Sequence, residues 1–172
     1  MADQGECTWP RCQVVVTESL VDRVVQGIER TVGAYSRLIV LVAPAGSGKT
    51  AVLQDVQRRT GAPLLDVNLE ISRRMLELTD RQRELRAPFL LPEVLDEIQA
   101  DVVLLDNIEL LFDPSLKIDQ MRLLREVSRY KTVVVTWSGS CDDDSVLYAE
   151  RDHREYGRYS TRGVLVVTCQ VA

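Results

Sequence analysis

Residues 43–50 read A-P-A-G-S-G-K-T, a glycine-rich stretch ending in a lysine and a hydroxyl residue. The chemistry such a stretch serves is phosphate binding. Gly46 and Gly48 let the backbone turn so that successive N–H groups converge on phosphate oxygens. The Lys49 ammonium is expected to meet the β- and γ-phosphates of a nucleotide, and the Thr50 hydroxyl to bind Mg2+. Pro44, Ala45, Gly46, Ser47, Gly48, Lys49, Thr50 and Ala51 are therefore the expected cofactor-binding residues. ATP is the expected ligand; the absence of a guanine-reading N-K-x-D string tilts away from GTP without excluding it. Ala43 stands where the pattern G-x-x-x-x-G-K-[ST] has its first glycine, a small-for-small exchange. The chain has 3 lysines against 18 arginines, so a lysine at position 49 is not background.

A second stretch, Val102-Val-Leu-Leu-Asp106, is four apolar residues closed by a carboxylate. At the C-terminal end of a buried strand, Asp106 is expected to hold Mg2+ through water beside the phosphates, together with Thr50. ATPases of the AAA type place a glutamate directly after that aspartate, where it polarises the attacking water. This chain has Asn107 there, and Glu109 is the nearest carboxylate. Glu109 is either that base or a solvated residue opening the next helix. A third stretch, Val133-Val-Val-Thr-Trp-Ser138, offers Thr136 and Ser138 at a strand tip, as contacts to the γ-phosphate or the water, or as ordinary polar ends. Expected catalytic residues are thus Lys49, Glu109, Thr136 and Ser138.

These groups need a scaffold. Leu38–Val42 is a continuous β-branched run of the kind found in strands covered on both faces. Further strands are expected at Leu64–Val67, Val102–Asp106, Thr132–Trp137 and Gly163–Thr168. Helices are expected from an N-cap at Thr17 to Val32, then over Lys49–Arg59, Leu69–Leu78, Pro92–Ala100 and Asp119–Tyr130. Alternation of strand and helix predicts an α/β, three-layer P-loop NTPase fold. Its sheet should have five mainly parallel strands in the order 5-1-4-3-2, flanked by helices and without a separate lid domain. Residues 1–16 read as an irregular N-terminal segment and residues 17–172 as a single domain.

Composition sets limits. The chain of 172 residues carries 21 basic and 26 acidic residues, a net charge of −5, which does not support broad binding to DNA, although a local contact is possible. No apolar run approaches the roughly 20 residues of a membrane span, so a cytoplasmic protein with no membrane partner is expected. Cys7, Cys12, Cys141 and Cys169 lack a paired spacing, and with His153 as the one histidine a zinc site has no pattern behind it.

Two arginine sets are left over. Arg122, Arg125 and Arg129 share a helix face, and Arg151, Arg154 and Arg158 precede the last strand. Either is a solvated surface or supplies a finger to a neighbouring subunit's site, as AAA ATPases do. Tyr148, Tyr156 and Tyr159 lie near the second set and are either packed or able to stack on a base. Cys141–Asp144 reads as an acidic, solvent-facing loop. The arginines of Arg73–Arg86 admit a third reading, the mobile lid of a small-molecule kinase.

The runs A-P-A-G-S-G-K-T, P-L-L-D-V-N-L-E-I-S-R-R-M-L-E-L and D-V-V-L-L-D-N-I-E-L-L-F-D, with the later Y-A-E-R-D-H-R-E-Y-G-R-Y, resemble the BrxF family. BrxF proteins are the small P-loop, AAA-like proteins of BREX bacteriophage-exclusion systems. The resemblance spans roughly Thr17 to Val167. It implies a prokaryotic cytoplasmic protein in antiviral defence, acting beside a DNA methyltransferase and other BREX components. It also makes Asn107 a family trait. The expected function is Mg-ATP binding with slow hydrolysis in a homo-oligomer or a complex of such a system. The rival is a nucleotide-sensing switch or scaffold in which turnover is incidental.

Overall fold

A computed structural model describes residues 19–149 and 153–168. The expected cap at Thr17, the 1–16 segment, Arg151, Cys7, Cys12 and Cys169 lie outside these.

Period-two alternation organises the core. In strand β1 (Leu38–Ala43) every residue is buried, with Leu38, Val40 and Val42 on one face and Ile39 and Leu41 on the other. Strand β3 (Val102–Asp106) divides Val103 and Leu105 from Leu104, and β4 (Thr132–Asp142) divides Val133, Val135 and Trp137 from Val134. A strand apolar on both faces demands cover on both. Helices α1 (Leu20–Arg30) and α2 (Lys49–Thr60) cover the second face, and α3 (Val67–Met75), α4 (Asp80–Asp96) and α5 (Gln120–Val127) the first. The result is an α/β fold of helix, mostly parallel sheet and helix.

The parallel strands run in the order β2 (Leu64–Asp66), β3, β4, β1, β7 (Leu165–Thr168). Counted by the five expected strands, this is the order 5-1-4-3-2 read from the opposite edge. Among the described residues the sheet has seven strands rather than five. Strand β4 runs on past Trp137 and pairs antiparallel with β5 (Ser145–Tyr148), which pairs with β6 (Gly157–Ser160). The expected acidic loop at Cys141–Asp144 is thus partly strand: Cys141 and Asp142 pair with Val146 and Ser145, and only Asp143 and Asp144 form the turn.

The hairpin folds back over the core, where Phe112 stacks on Tyr148 at 3.5 Å between ring centroids and Trp137 meets both edge-on. Tyr148 is buried and Tyr159 joins the same cluster, so neither is a stacking platform for a base. Gly139 permits the close approach: a Cβ there would sit 1.8 Å from the Leu147 carbonyl oxygen. That oxygen also accepts from Trp137 Nε1 at 3.0 Å. Gly139→Ala is therefore expected to lower unfolding stability by about 1–3 kcal/mol in urea titrations, the usual range for overpacking.

Other boundaries shift for local reasons. Ser19, not Thr17, caps α1, accepting from Asp22 N at 3.2 Å; α1 ends before Val32, which is 73% exposed. Val67 opens α3 instead of closing β2, because Asp66 caps the helix through Leu69 N at 2.9 Å. Helix α4 begins twelve positions before the expected Pro92 start. A capping box between Thr79 and Gln82 starts it, and burial of Ala87, Leu90, Leu91, Val94 and Leu95 carries it through Pro88 and Pro92. Residues 73–86, the stretch read as a kinase lid, are mostly helical. They form the end of α3, a short connection and the first half of α4, with Arg73 bonded to Glu70, Arg74 to Glu97, Arg83 to Met75 O and Arg86 to Glu93.

Candidate functional site

Parallel strands deliver their C-terminal ends to one edge. Pairing sets Asp66 beside Asp106 and Ala43 beside Ser138. Above this edge lies a cleft of about 380 Å³. Residues 45–50 form one wall, and Asp106, Asn107, Glu109, Thr136 and Ser138 the other. Of the expected site residues, Ala45 to Thr50, Asp106, Glu109, Thr136 and Ser138 come together here. Pro44 and Ala51 flank the cleft without lining it.

The 43–50 loop turns through left-handed backbone at Gly46 (φ 75°) and Gly48 (φ 86°), conformations that cost glycine little. Gly48 is also the N-cap of α2. It provides no side-chain acceptor, and the first turn holds no acidic residue. Helices α1, α3, α4 and α5 are each capped by a side chain, from Ser19, Asp66, Thr79 and Asp119. Among the described α-helices only α2 leaves its N-terminal N–H groups and its partial positive charge open, and it does so at the cleft. The Ser47 hydroxyl is buried there with no partner in the described residues. Lys49 is 8% exposed, and its ammonium donates to Ala43 O at 3.1 Å and to Pro44 O at 2.8 Å, which holds it against its own loop.

Asp106 is 5% exposed and accepts from Thr136 Oγ1 at 2.7 Å. The Thr136 proton is thereby committed to orienting Asp106. Glu109 opens a 3-10 turn (Glu109–Phe112) and accepts from Ser138 Oγ at 3.1 Å and Asn68 Nδ2 at 3.3 Å. It is a held carboxylate, not a freely solvated one. Burial first, and then the Glu109 charge, push the Tyr148 hydroxyl far above the ordinary tyrosine range, so that it stays neutral.

Asn107 explains why the position after Asp106 carries no acid. Its backbone is left-handed (φ 53°), a conformation asparagine tolerates better than most residues. Its amide donates to Asp66 Oδ2 at 2.8 Å, and its carbonyl accepts from Asn68 N at 2.9 Å. The chain pivots there, and Glu109, two residues on, reaches the cleft. Asn68 completes the tie by accepting from Leu110 N at 2.8 Å. Sequence reasoning missed Asp66 and Asn68 as site supports. The available signal was a polar pair, D-V-N, at the junction of the second strand and its helix.

Compared with known proteins, the chain matches no family model and no curated sequence. What the cleft can hold follows from its donors. Thr50 and Asp106 offer oxygen only, which suits a hard cation such as Mg2+ that keeps several waters. The open α2 terminus, the orphaned Ser47 hydroxyl and Lys49 suit a chain of phosphates. Among the described residues no arginine lines this cleft. Arg122, Arg125, Arg129 and Arg158 gather elsewhere, Arg154 is exposed, and no helix in the described residues is long and apolar enough to cross a membrane.

Proposed function

We propose that this is a P-loop protein that binds Mg-ATP in the 43–50 cleft and hydrolyses it slowly within an assembly. The observation that carries the reading is the uncapped N-terminus of α2, with the unpartnered Ser47 hydroxyl and Lys49 at the cleft. Residues 45–50 hold the phosphates, and Thr50 and Asp106 hold Mg2+, which when bound neutralises phosphate charge. Glu109 accepts a proton from the attacking water, and Asn68 and Ser138 fix its direction. Because Lys49 is the one cation that the described residues bring to the cleft lining, full activity calls for positive charge from a neighbour. That is the physical case for a homo-oligomer or a complex.

The test combines titration of a fluorescent ATP analogue, with and without Mg2+, with phosphate release and light scattering on the same samples; GTP enters as competitor. Wild-type protein should bind in a Mg2+-dependent way. Asp106→Asn should weaken Mg2+ affinity by about 10–100-fold, as loss of an outer-sphere partner does. Binding indifferent to Mg2+ in both proteins would refute the assignment of Asp106.

The likeness to BrxF in D-V-N-L-E and L-D-N-I-E-L-L-F supports the further proposal of a cytoplasmic role with other BREX components in phage defence. These two strings hydrogen-bond to each other through Asp66, Asn68, Asn107 and Glu109. A nucleotide-sensing switch is the second reading, favoured by Asn107 serving as a pivot where other ATPases have their base. Steady-state phosphate release separates the two.

A further inference from the structure

Helix α5 carries Arg122 and Arg125, and Arg129 stands in the turn just after it, so the three follow one another along the chain. They line a second cleft of about 480 Å³, between α5 and β6, that among the described residues shares no lining residue with the 43–50 cleft. Arg158 also lines it, but its donors go to Ser145 Oγ and Asp142. Arg125 gives one donor to Ser160 O at 2.7 Å, and its Nε is buried without a partner. The Arg122 guanidinium takes no ion pair or hydrogen bond among the described residues, although acidic side chains line the same cleft; Arg129 has only the Tyr35 ring, 5.4 Å away. In a chain with 26 acidic residues, arginines left unpaired in a concave surface are available to an external anion, which their planar donors suit.

Three arginines on one cleft are more than one phosphate group needs, and aromatic rings stand at the Arg129 end. Tyr35 and Tyr130 are each 80% exposed. The 35–37 loop is fastened to the end of α5 by Ser36 Oγ to Ser128 Oγ at 3.1 Å and Arg37 N to Ser128 O at 3.1 Å. A row of guanidiniums beside exposed aromatic rings is the chemistry that binds a single strand, with phosphates on the cations and bases stacked on the rings. We propose that the α5–β6 cleft, with Tyr35 and Tyr130, binds the backbone and bases of single-stranded nucleic acid. The negative net charge confines this contact to the row.

The experiment is fluorescence anisotropy of the full chain with a labelled oligothymidylate of about 12 nucleotides, over a salt series without ATP. Wild-type protein should bind with a negative slope of log affinity against log salt. The Arg122→Ala/Arg129→Ala variant should bind about tenfold or more weakly and lose about 1.4 from the slope, two contacts at about 0.7 each. Tyr35→Ala should weaken binding about tenfold without changing the slope. Arg58→Ala, on the opposite face, and Lys49→Ala should bind as wild type, which keeps this result separable from nucleotide binding in the other cleft. No binding by wild-type protein at low salt, or an unchanged slope in the double variant, would overturn the proposal. So would competition by tripolyphosphate or free ATP as effective as by unlabelled oligonucleotide, which would make the site one for a small polyphosphate. A double variant that keeps oligonucleotide binding but loses concentration-dependent ATP turnover would instead assign these arginines to a neighbour's nucleotide.

Discussion

Glu109→Gln is expected to slow turnover of bound ATP by about 10²–10⁴-fold, the usual contribution of a positioned general base, while nucleotide affinity stays within about twofold. The substitution tests basicity alone because the surroundings accommodate an amide. Glu109 now accepts from Asn68 Nδ2 and from the Ser138 hydroxyl. A glutamine keeps the first bond through its carbonyl oxygen, and its NH2 donates to Ser138 Oγ, which can accept as readily as donate. No buried partner is stranded, so the unfolding midpoint should not move. Single-turnover phosphate release with saturating Mg-ATP reads the chemistry, and titration of a fluorescent analogue reads binding. Turnover at the wild-type rate would remove Glu109 from catalysis and favour the switch. A parallel loss of affinity and rate would mean that Glu109 helps to hold the nucleotide or its metal.

How far these residues were legible in the sequence depends on how local their signals are. The runs in β1, β3 and the first half of β4 are continuous and apolar, and a buried parallel strand has no other way to look. Gly46, Gly48 and Lys49 are likewise neighbours in the chain, so the loop and its cleft wall could be read directly. Helix α4 could not, because Pro88 and Pro92 argue for breaks that the Thr79 cap and the buried leucines override. The extension of β4 through Gly139-Ser-Cys-Asp142 is polar and alternates weakly. Its partner strand, not its own composition, makes it a strand. The fixing of Glu109 was least accessible of all. Its amide partner lies 41 residues upstream, and the direction of its side chain is set by a left-handed asparagine two positions before it. Sequence spacing identifies Glu109 as the nearest acid; only pairing of β2 with β3 brings Asn68 to it.

Lys49→Ala is expected to weaken Mg-ATP binding by about 2–5 kcal/mol, the usual cost of truncating a charged partner at a desolvated contact. That corresponds to roughly 30- to 4,000-fold in Kd. In the structure the ammonium bonds to Ala43 O and Pro44 O, so a nucleotide must draw it from two carbonyls before it meets phosphate. Those contacts make Lys49 a small structural element as well as a ligand. Its loss frees two carbonyl oxygens, one on the exposed Pro44 that water can reach, and removes the desolvation cost of a largely buried charge. These effects oppose each other, and the unfolding free energy should change by less than about 2 kcal/mol. The fold does not rest on Lys49, because the apolar alternation of β1 and the burial of Leu53 and Val56 hold the strand and helix on either side of the loop. Calorimetric titration with Mg-ATP, set beside urea unfolding of the same preparation, separates the two quantities. Wild-type affinity in a folded Lys49→Ala protein would sink the assignment of the 43–50 loop as the phosphate site. Lost affinity in a protein with native unfolding would leave the loss of the ammonium's own contact with phosphate as the explanation.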